Sequence, residues 1–326
     1  MSLSQAAQVK QTSSHTYTAD FSPIWTIGTV PHGGYVTSCI QRVVALHFAT
    51  TLRKQKQPHI MTLHLDFLRR TDVGPAKFEV KDIKLGRQAS VVHVMLSQDG
   101  REEVVGYVTC TDLATESGVS HPTHWSLNPA PLPVADFEQL DRGKDDHFAE
   151  RLDWPFSDFR KATQHIRAFF PRRGQHSAAC IDQWMCLREP GAKWKTVDLG
   201  FVVDMFPQII ETFAMDGLDP YSTAFEDRHP VPEQKEIMKE RGAGGSWYPT
   251  VLLNLDVKKD LGEGVRWLML RLQAKVIANG RYDLEIVILD AAGEVVALSH
   301  HVVLAVSAER NRAARRKAND KPASKL

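Results

Sequence analysis

The chain repeats itself. Leu63-His-Leu-Asp66-Phe returns as Leu253-Asn-Leu-Asp256-Val, Gly86-Arg87 as Gly280-Arg281, and Gly100 with Glu103-Val104-Val105 as Gly293 with Glu294-Val295-Val296, all at an offset of about 190 residues. A constant offset across several motifs speaks for duplication of one structural unit. The unit is of the α+β class, a long helix lying against about five antiparallel strands. Two such sheets can pair edge to edge, which hides edges that otherwise invite aggregation.

In the first copy, residues 1–14 are rich in Ser, Gln and Thr with little periodicity and are expected to be disordered. Thr16 to Trp25 reads as a strand, Pro31, Gly33 and Gly34 as a turn, and Tyr35 to Leu52 as a helix burying Val36, Ile40, Val43, Val44 and Phe48. Strand-like runs follow at His59 to Arg69, Ala76 to Leu85, Ala89 to Gln98 and Glu102 to Asp112, with reversals at Gly86 and Asp99-Gly100. The first unit therefore covers 15–113. Residues 114–170, carrying Pro122, Pro129, Pro131, Pro133 and Pro155 among charges, read as a connector.

The second unit, 171–308, repeats the order. A strand at His176 to Arg188 precedes Val197 to Phe213, where Leu199, Val202, Phe206, Ile209 and Phe213 recur at helical steps. Asp204 points away from that stripe among Val203, Met205 and Phe206, and Pro207 should kink or restart the helix beside it. An acid with so little polar company is a functional candidate if protein covers it. A charged, Gly-rich loop is expected over 226–245, then strands at Trp247 to Lys258, Val265 to Ile277, Tyr282 to Asp290 and Glu294 to Val306.

Forty Lys and Arg against thirty-nine Asp and Glu argue against a nucleic-acid or anionic-membrane surface, and no run of eighteen apolar residues spans a bilayer. Four scattered cysteines and no signal-peptide core fit a reducing intracellular compartment. The basic tail, 309–326, reads as disordered and ends in Ser324-Lys325-Leu326, the address read by the peroxisomal import receptor, so the expected location is peroxisomal and otherwise cytoplasmic. There is no GxSxG elbow, dinucleotide fingerprint, Walker loop, HExxH or paired CxxC. Fourteen histidines lack metal-ligand spacing, so neither metal nor cofactor is expected.

The VPHGGY turn entering a helix, the strand-wrapped helices and the FVVDMFP run resemble the double-hotdog acyl-CoA thioesterases, the acyl-CoA thioesterase II family and its thioesterase-like allies, over Thr16 to Leu113 and Gly174 to Ser307. The resemblance implies a double hotdog fold, an acyl-CoA substrate and possible homo-oligomers. It also implies a water-orienting trio of an acid on the second helix, a hydroxyl on the next strand and a carboxamide on the last strand. By position these fall on Asp204, Thr250 and His301, the last a departure from the family's Gln. Chemistry asks for the same parts: a base for water, groups that aim it, and donors for the oxyanion. Amides at the helix start, presented through Gly33 and Gly34 and flanked by His32 and Tyr35, are placed to meet a substrate carbonyl. Trp184, Trp194, Trp247, Trp267 and Phe206 could line an acyl tunnel.

The leading expectation is hydrolysis of a fatty or other hydrophobic acyl-CoA. The alternatives are a hotdog tailoring enzyme or dehydratase on a polyketide-like substrate, and a non-catalytic acyl-CoA or lipid binder.

Overall fold

In the computed structural model, described for residues 1–152, 154–215, 220–222, 231–241 and 245–312, thirteen strands run in one antiparallel path. Its order is Lys10–Ser13, Thr16–Phe21, Gly74–Lys84, Ala89–Gln98, Arg101–Thr111, His59–Phe67, Thr250–Val257, Val295–Leu304, Arg281–Leu289, Leu268–Gln273, Cys180–Leu187, Ile166–Pro171, Phe148–Glu150. The two copies join at the expected edge. His59–Phe67 pairs with Thr250–Val257 so that Leu65 faces Leu253 and Leu63 faces Leu255, and the pair His64–Asn254 sits at the centre of this exchange. His64 Nδ1 and Asn254 Oδ1 are 2.6 Å apart there. The repeated sequence thus becomes two α+β halves mirrored about one strand pair, a double hotdog.

Strand composition explains the layering. Ala89–Gln98 alternates half-buried and buried residues, the period of a sheet with one covered face. Cys180–Leu187 is buried at every position because protein covers both its faces. One apolar core, running from Tyr17 and Phe78 through Val43 and Phe201 to Leu270 and Ile286, serves both halves. All four cysteines are free and buried. Among the described residues no helix is long and apolar enough to cross a membrane.

Several expectations need correction. Residues 1–14 are ordered: Leu3–Ala6 is a helix with a Ser2–Gln5 capping box and buried Leu3 and Ala6, and Lys10–Ser13 pairs with Thr16–Phe21. Polar composition concealed one small apolar anchor. The 114–170 segment is more than a connector, because Phe148–Glu150 and Ile166–Pro171 extend the sheet. Leu127, Leu140, Phe148 and Phe169 also build a second core with Trp184, Trp267 and Met269. Within 226–245, Val231–Glu240 is helical, with Glu233 in its first turn and Lys239 in its last, where the helix dipole favours those charges. The tail is ordered at its start. Glu309–Arg312 is helical, and buried Asn311 accepts from the Thr29 amide and donates to the Ile27 carbonyl. Ser324, Lys325 and Leu326 lie outside the described residues.

Candidate active site

The first helix runs Gly33–Ala49, two residues earlier than its apolar period indicates. The second is broken: Leu199–Val202 forms one turn, and Ile209–Ala214 restarts after Pro207. Between them the chain tightens, with the Asp204 and Met205 amides donating to the carbonyls three residues back. Pro207 has no amide to carry a helix through, so Asp204 sits at the break. Phe213, expected in the buried stripe, is half exposed because the restart turns it outward.

The two helical segments cross at glycine contact distance. A Cβ on Gly34 would lie 2.8 Å from Asp204 Cβ and 2.8 Å from the Gly200 carbonyl, and one on Gly200 would lie 2.4 Å from Thr37 Cγ2. Only glycine permits that approach. Side chains of the first helix cap the second: Ser38 Oγ accepts from the Phe201 amide at 3.1 Å and Gln41 Oε1 from the Gly200 amide at 2.7 Å.

This contact delivers the Asp204 carboxylate to the start of the first helix. Oδ2 accepts from the Gly34 amide at 2.6 Å, and Oδ1 accepts from the Thr250 hydroxyl at 3.1 Å. His32 Nε2 is 3.0 Å from the Asp204 carbonyl oxygen and 3.6 Å from Oδ2. His301 Nδ1 is 3.7 Å from Oδ1. Asp204, Thr250 and His301 are therefore brought together. Asp204 keeps only 9% of its surface exposed, on the wall of a cavity of about 400 Å³ that Thr250, His32 and Gly33 also line. His301, fully buried, reaches the carboxylate from behind that wall.

Hydrogen-bond partners fix the protons. Ser299 donates its hydroxyl to the Asn254 carbonyl, so its oxygen is the acceptor facing His301 Nε2 at 3.0 Å. Nε2 then carries the hydrogen and Nδ1, buried with no hydrogen-bond partner among the described residues, presents a lone pair. Burial pulls the His301 pKa down to about 4 although Asp204 opposes it, and burial likewise lowers that of His32. His301 is thus a neutral acceptor near pH 7, the role that a carboxamide oxygen can fill.

Two expected roles change. The Gly34 amide is occupied by Asp204, so it is not free for a substrate carbonyl. Gly33, half-exposed in the same first turn, lines the cavity. Tyr35 is no part of the wall: fully buried, it donates to the Ala6 carbonyl at 2.7 Å and accepts from the Ser22 amide. Of the aromatic candidates Trp247 and Phe206 line the cavity, whereas Trp194 is core and Trp184 and Trp267 belong to the second cluster. Sequence reasoning missed Arg160, Gln208 and Tyr248 on the wall. Arg160, from the Pro-rich segment, is paired with buried Glu211 at 2.5 Å. Gln208 Oε1 accepts from Tyr282 at 2.8 Å, which leaves its amide N–H groups as what it offers a ligand.

The acyl-CoA thioesterase N-terminal domain family matches residues 21–111, and the acyl-CoA thioesterase C-terminal domain family matches residues 130–305. The chain belongs to the acyl-CoA thioesterase family. The two family domains coincide with the two hotdog halves, and the second begins inside the segment that looked like a connector. A thioesterase-like protein, TwmA of Talaromyces wortmannii, is 37% identical, covering 94% of this chain and 93% of that one. Among solved structures, a hot dog-fold protein of unknown function from Alicyclobacillus acidocaldarius superposes with a TM-score of 0.67 at 14% identity, covering 94% of this chain and 98% of that one. The acyl-CoA thioesterase II TesB2 of Mycobacterium marinum gives 0.56 at 15% identity, with 94% and 98% covered. Both fold likenesses span each pair of chains almost end to end.

Proposed function

We propose that this protein hydrolyses the thioester of a hydrophobic acyl-CoA to the free acid and CoA, using a water held by Asp204 and His301. The observation that carries this is the Asp204 carboxylate, fixed by the Gly34 amide and the Thr250 hydroxyl on a cavity wall with the His301 lone pair 3.7 Å from Oδ1. Two acceptors so placed bind both hydrogens of one water and leave its oxygen lone pair for the carbonyl carbon. As the C–O bond forms, one water proton passes to the Asp204–His301 pair and the carbonyl oxygen becomes an oxyanion; the proposal assigns the amide of Gly33, which lines the cavity in the helix's first turn, as its donor. Collapse breaks the C–S bond, and the proton taken from water returns to the thiolate.

Arg69, Arg70 and Arg310 line the same cavity, which suits the phosphates of CoA. The polar wall groups Gln208, Arg160 and Tyr248 favour a second reading, in which the acyl group carries oxygen functions, as a polyketide-like tailoring substrate would. Release of free CoA from a panel of plain and oxygenated acyl-CoAs tests the proposal. Release from at least one member is expected; none from any member, with the panel still bound, makes the chain a non-catalytic binder. Peroxisomal delivery through Ser324, Lys325 and Leu326 is part of the proposal, and a fluorescent fusion lacking those three residues should stay in the cytosol.

A further inference from the structure

At the other end of the first helix, thirteen residues and therefore about 20 Å along it from Gly34, three side chains from three elements converge. His15 comes from the turn between the first two strands, His47 from the last turn of the helix, and Asp82 from Gly74–Lys84. Their ligand atoms all lie within 4.8 Å of one another. His47 Nε2 is 2.9 Å from Asp82 Oδ1, and His15 Nε2 is 3.4 Å from Asp82 Oδ2. Ligands bonded to Zn²⁺ at about 2.0–2.1 Å in tetrahedral geometry stand roughly 3.3 Å apart, so both separations already approach what the ion requires.

The outer contacts match as well. Histidines that bind metals usually hold the other ring nitrogen against a polar group, which fixes the ring. Here His47 Nδ1 meets the Tyr17 hydroxyl at 2.8 Å, and His15 Nδ1 meets the Ser14 hydroxyl at 2.9 Å. Tyr17 also accepts from Gln11 Nε2, and its hydroxyl can donate to the Ser14 carbonyl. With Nδ1 donating to Tyr17, His47 turns its Nε2 lone pair toward the Asp82 carboxylate, and the Ser14 hydroxyl can accept from His15 Nδ1 in the same way. The Val80 amide donates to the His15 carbonyl, and the pairing of Gly74–Lys84 is irregular between Asp82 and Lys84, a place where strands re-aim side chains. The His47 side chain is fully buried, while those of His15 and Asp82 are 44% and 26% exposed, so an ion has a route in and an open fourth position for water.

We propose that His15, His47 and Asp82 form a Zn²⁺ site that clips the amino-terminal hairpin to the helix end and the sheet. Two imidazoles and one carboxylate select a borderline-soft transition ion over Mg²⁺ or Ca²⁺, which prefer all-oxygen shells. No spacing motif announces the site because its ligands lie 32 and 35 residues apart in sequence.

The test is calorimetric titration of ZnCl₂ into EDTA-stripped full-length protein in a non-chelating buffer, with thermal unfolding followed in parallel. One equivalent of Zn²⁺ should bind and raise Tm, with no response to Mg²⁺ or Ca²⁺. His15→Ala, at a half-exposed turn where the fold tolerates change, and Asp82→Asn should both lose that equivalent. Absence of stoichiometric binding in the wild type, or an unchanged isotherm in both variants, would overturn the assignment.

Discussion

His301 Nδ1 lies 3.7 Å from Asp204 Oδ1, the carboxylate oxygen that accepts from the Thr250 hydroxyl, while His301 Nε2 faces the Ser299 hydroxyl. On the proposed mechanism one water donates to both His301 Nδ1 and Asp204 Oδ1. In that proposal the imidazole takes the part that a carboxamide oxygen would. His301→Gln should keep kcat within roughly tenfold of wild type, about 1.4 kcal/mol in barrier height. His301→Leu, which fills the space without an acceptor, should lose about a hundredfold or more. Equal loss in both variants would remove His301 from the water-holding pair.

The same histidine should leave a signature in stability against pH. Its folded pKa, about 4, is below the ordinary 6.5 because burial disfavours the charged ring. Between those values the unfolded chain binds the proton that the folded chain refuses. Stability is therefore complete above pH 6.5 and declines as pH falls toward 4, by up to about 1.4 kcal/mol per pH unit from this group. Buried His32 acts in the same direction. Denaturant titrations at several pH values should show a shallower decline for His301→Gln than for wild type.

Gly34→Ala tests the helix contact that positions the acid. The added methyl meets Asp204 Cβ and the Gly200 carbonyl at 2.8 Å and Phe201 Cα at 2.9 Å, two of which are backbone. Overpacking of this kind costs typically about 1–3 kcal/mol. The variant should be less stable by that amount and lose turnover out of proportion to KM, because the shift displaces Asp204 itself. Chemical denaturation and steady-state kinetics on the folded fraction read the two effects separately.

Gln208 offers its amide N–H groups to the cavity side while Tyr282 holds its oxygen. Gln208→Leu should lower kcat/KM for a hydroxy- or keto-acyl-CoA relative to the plain alkanoyl-CoA of equal length by about tenfold, the worth of one well-made hydrogen bond. An unchanged ratio would leave the acyl group unread by this residue.

Much of the fold was legible because duplication and alternation are properties of the chain itself. The strands from His59 to Thr111 and the pairing of the two copies follow from them, and Pro207 announces the helix break. The short elements that were missed share one cause. Phe148–Glu150, Ile166–Pro171 and the Leu3–Ala6 helix are short pieces whose order comes from what they dock on, and docking leaves no periodic mark. The resemblance implied that Asp204, Thr250 and His301 would come together, and these three side chains do meet. The destination of the Gly34 amide was not legible, since it depends on two helices crossing at glycine contact distance. Tyr35 shows the converse: its place beside the glycines suggested a ligand contact, while its length carries the hydroxyl into the core.

The most direct measurement is single-turnover hydrolysis of a saturating acyl-CoA substrate by Asp204→Asn, with circular dichroism and Tm confirming the fold. The carboxamide keeps an oxygen for the Gly34 amide but removes the charge and the proton acceptor. The expected result is bound substrate with the hydrolytic rate reduced by about a hundredfold or more. A folded Asp204→Asn protein that turns over at the wild-type rate would contradict the assignment of Asp204 as the residue that activates water.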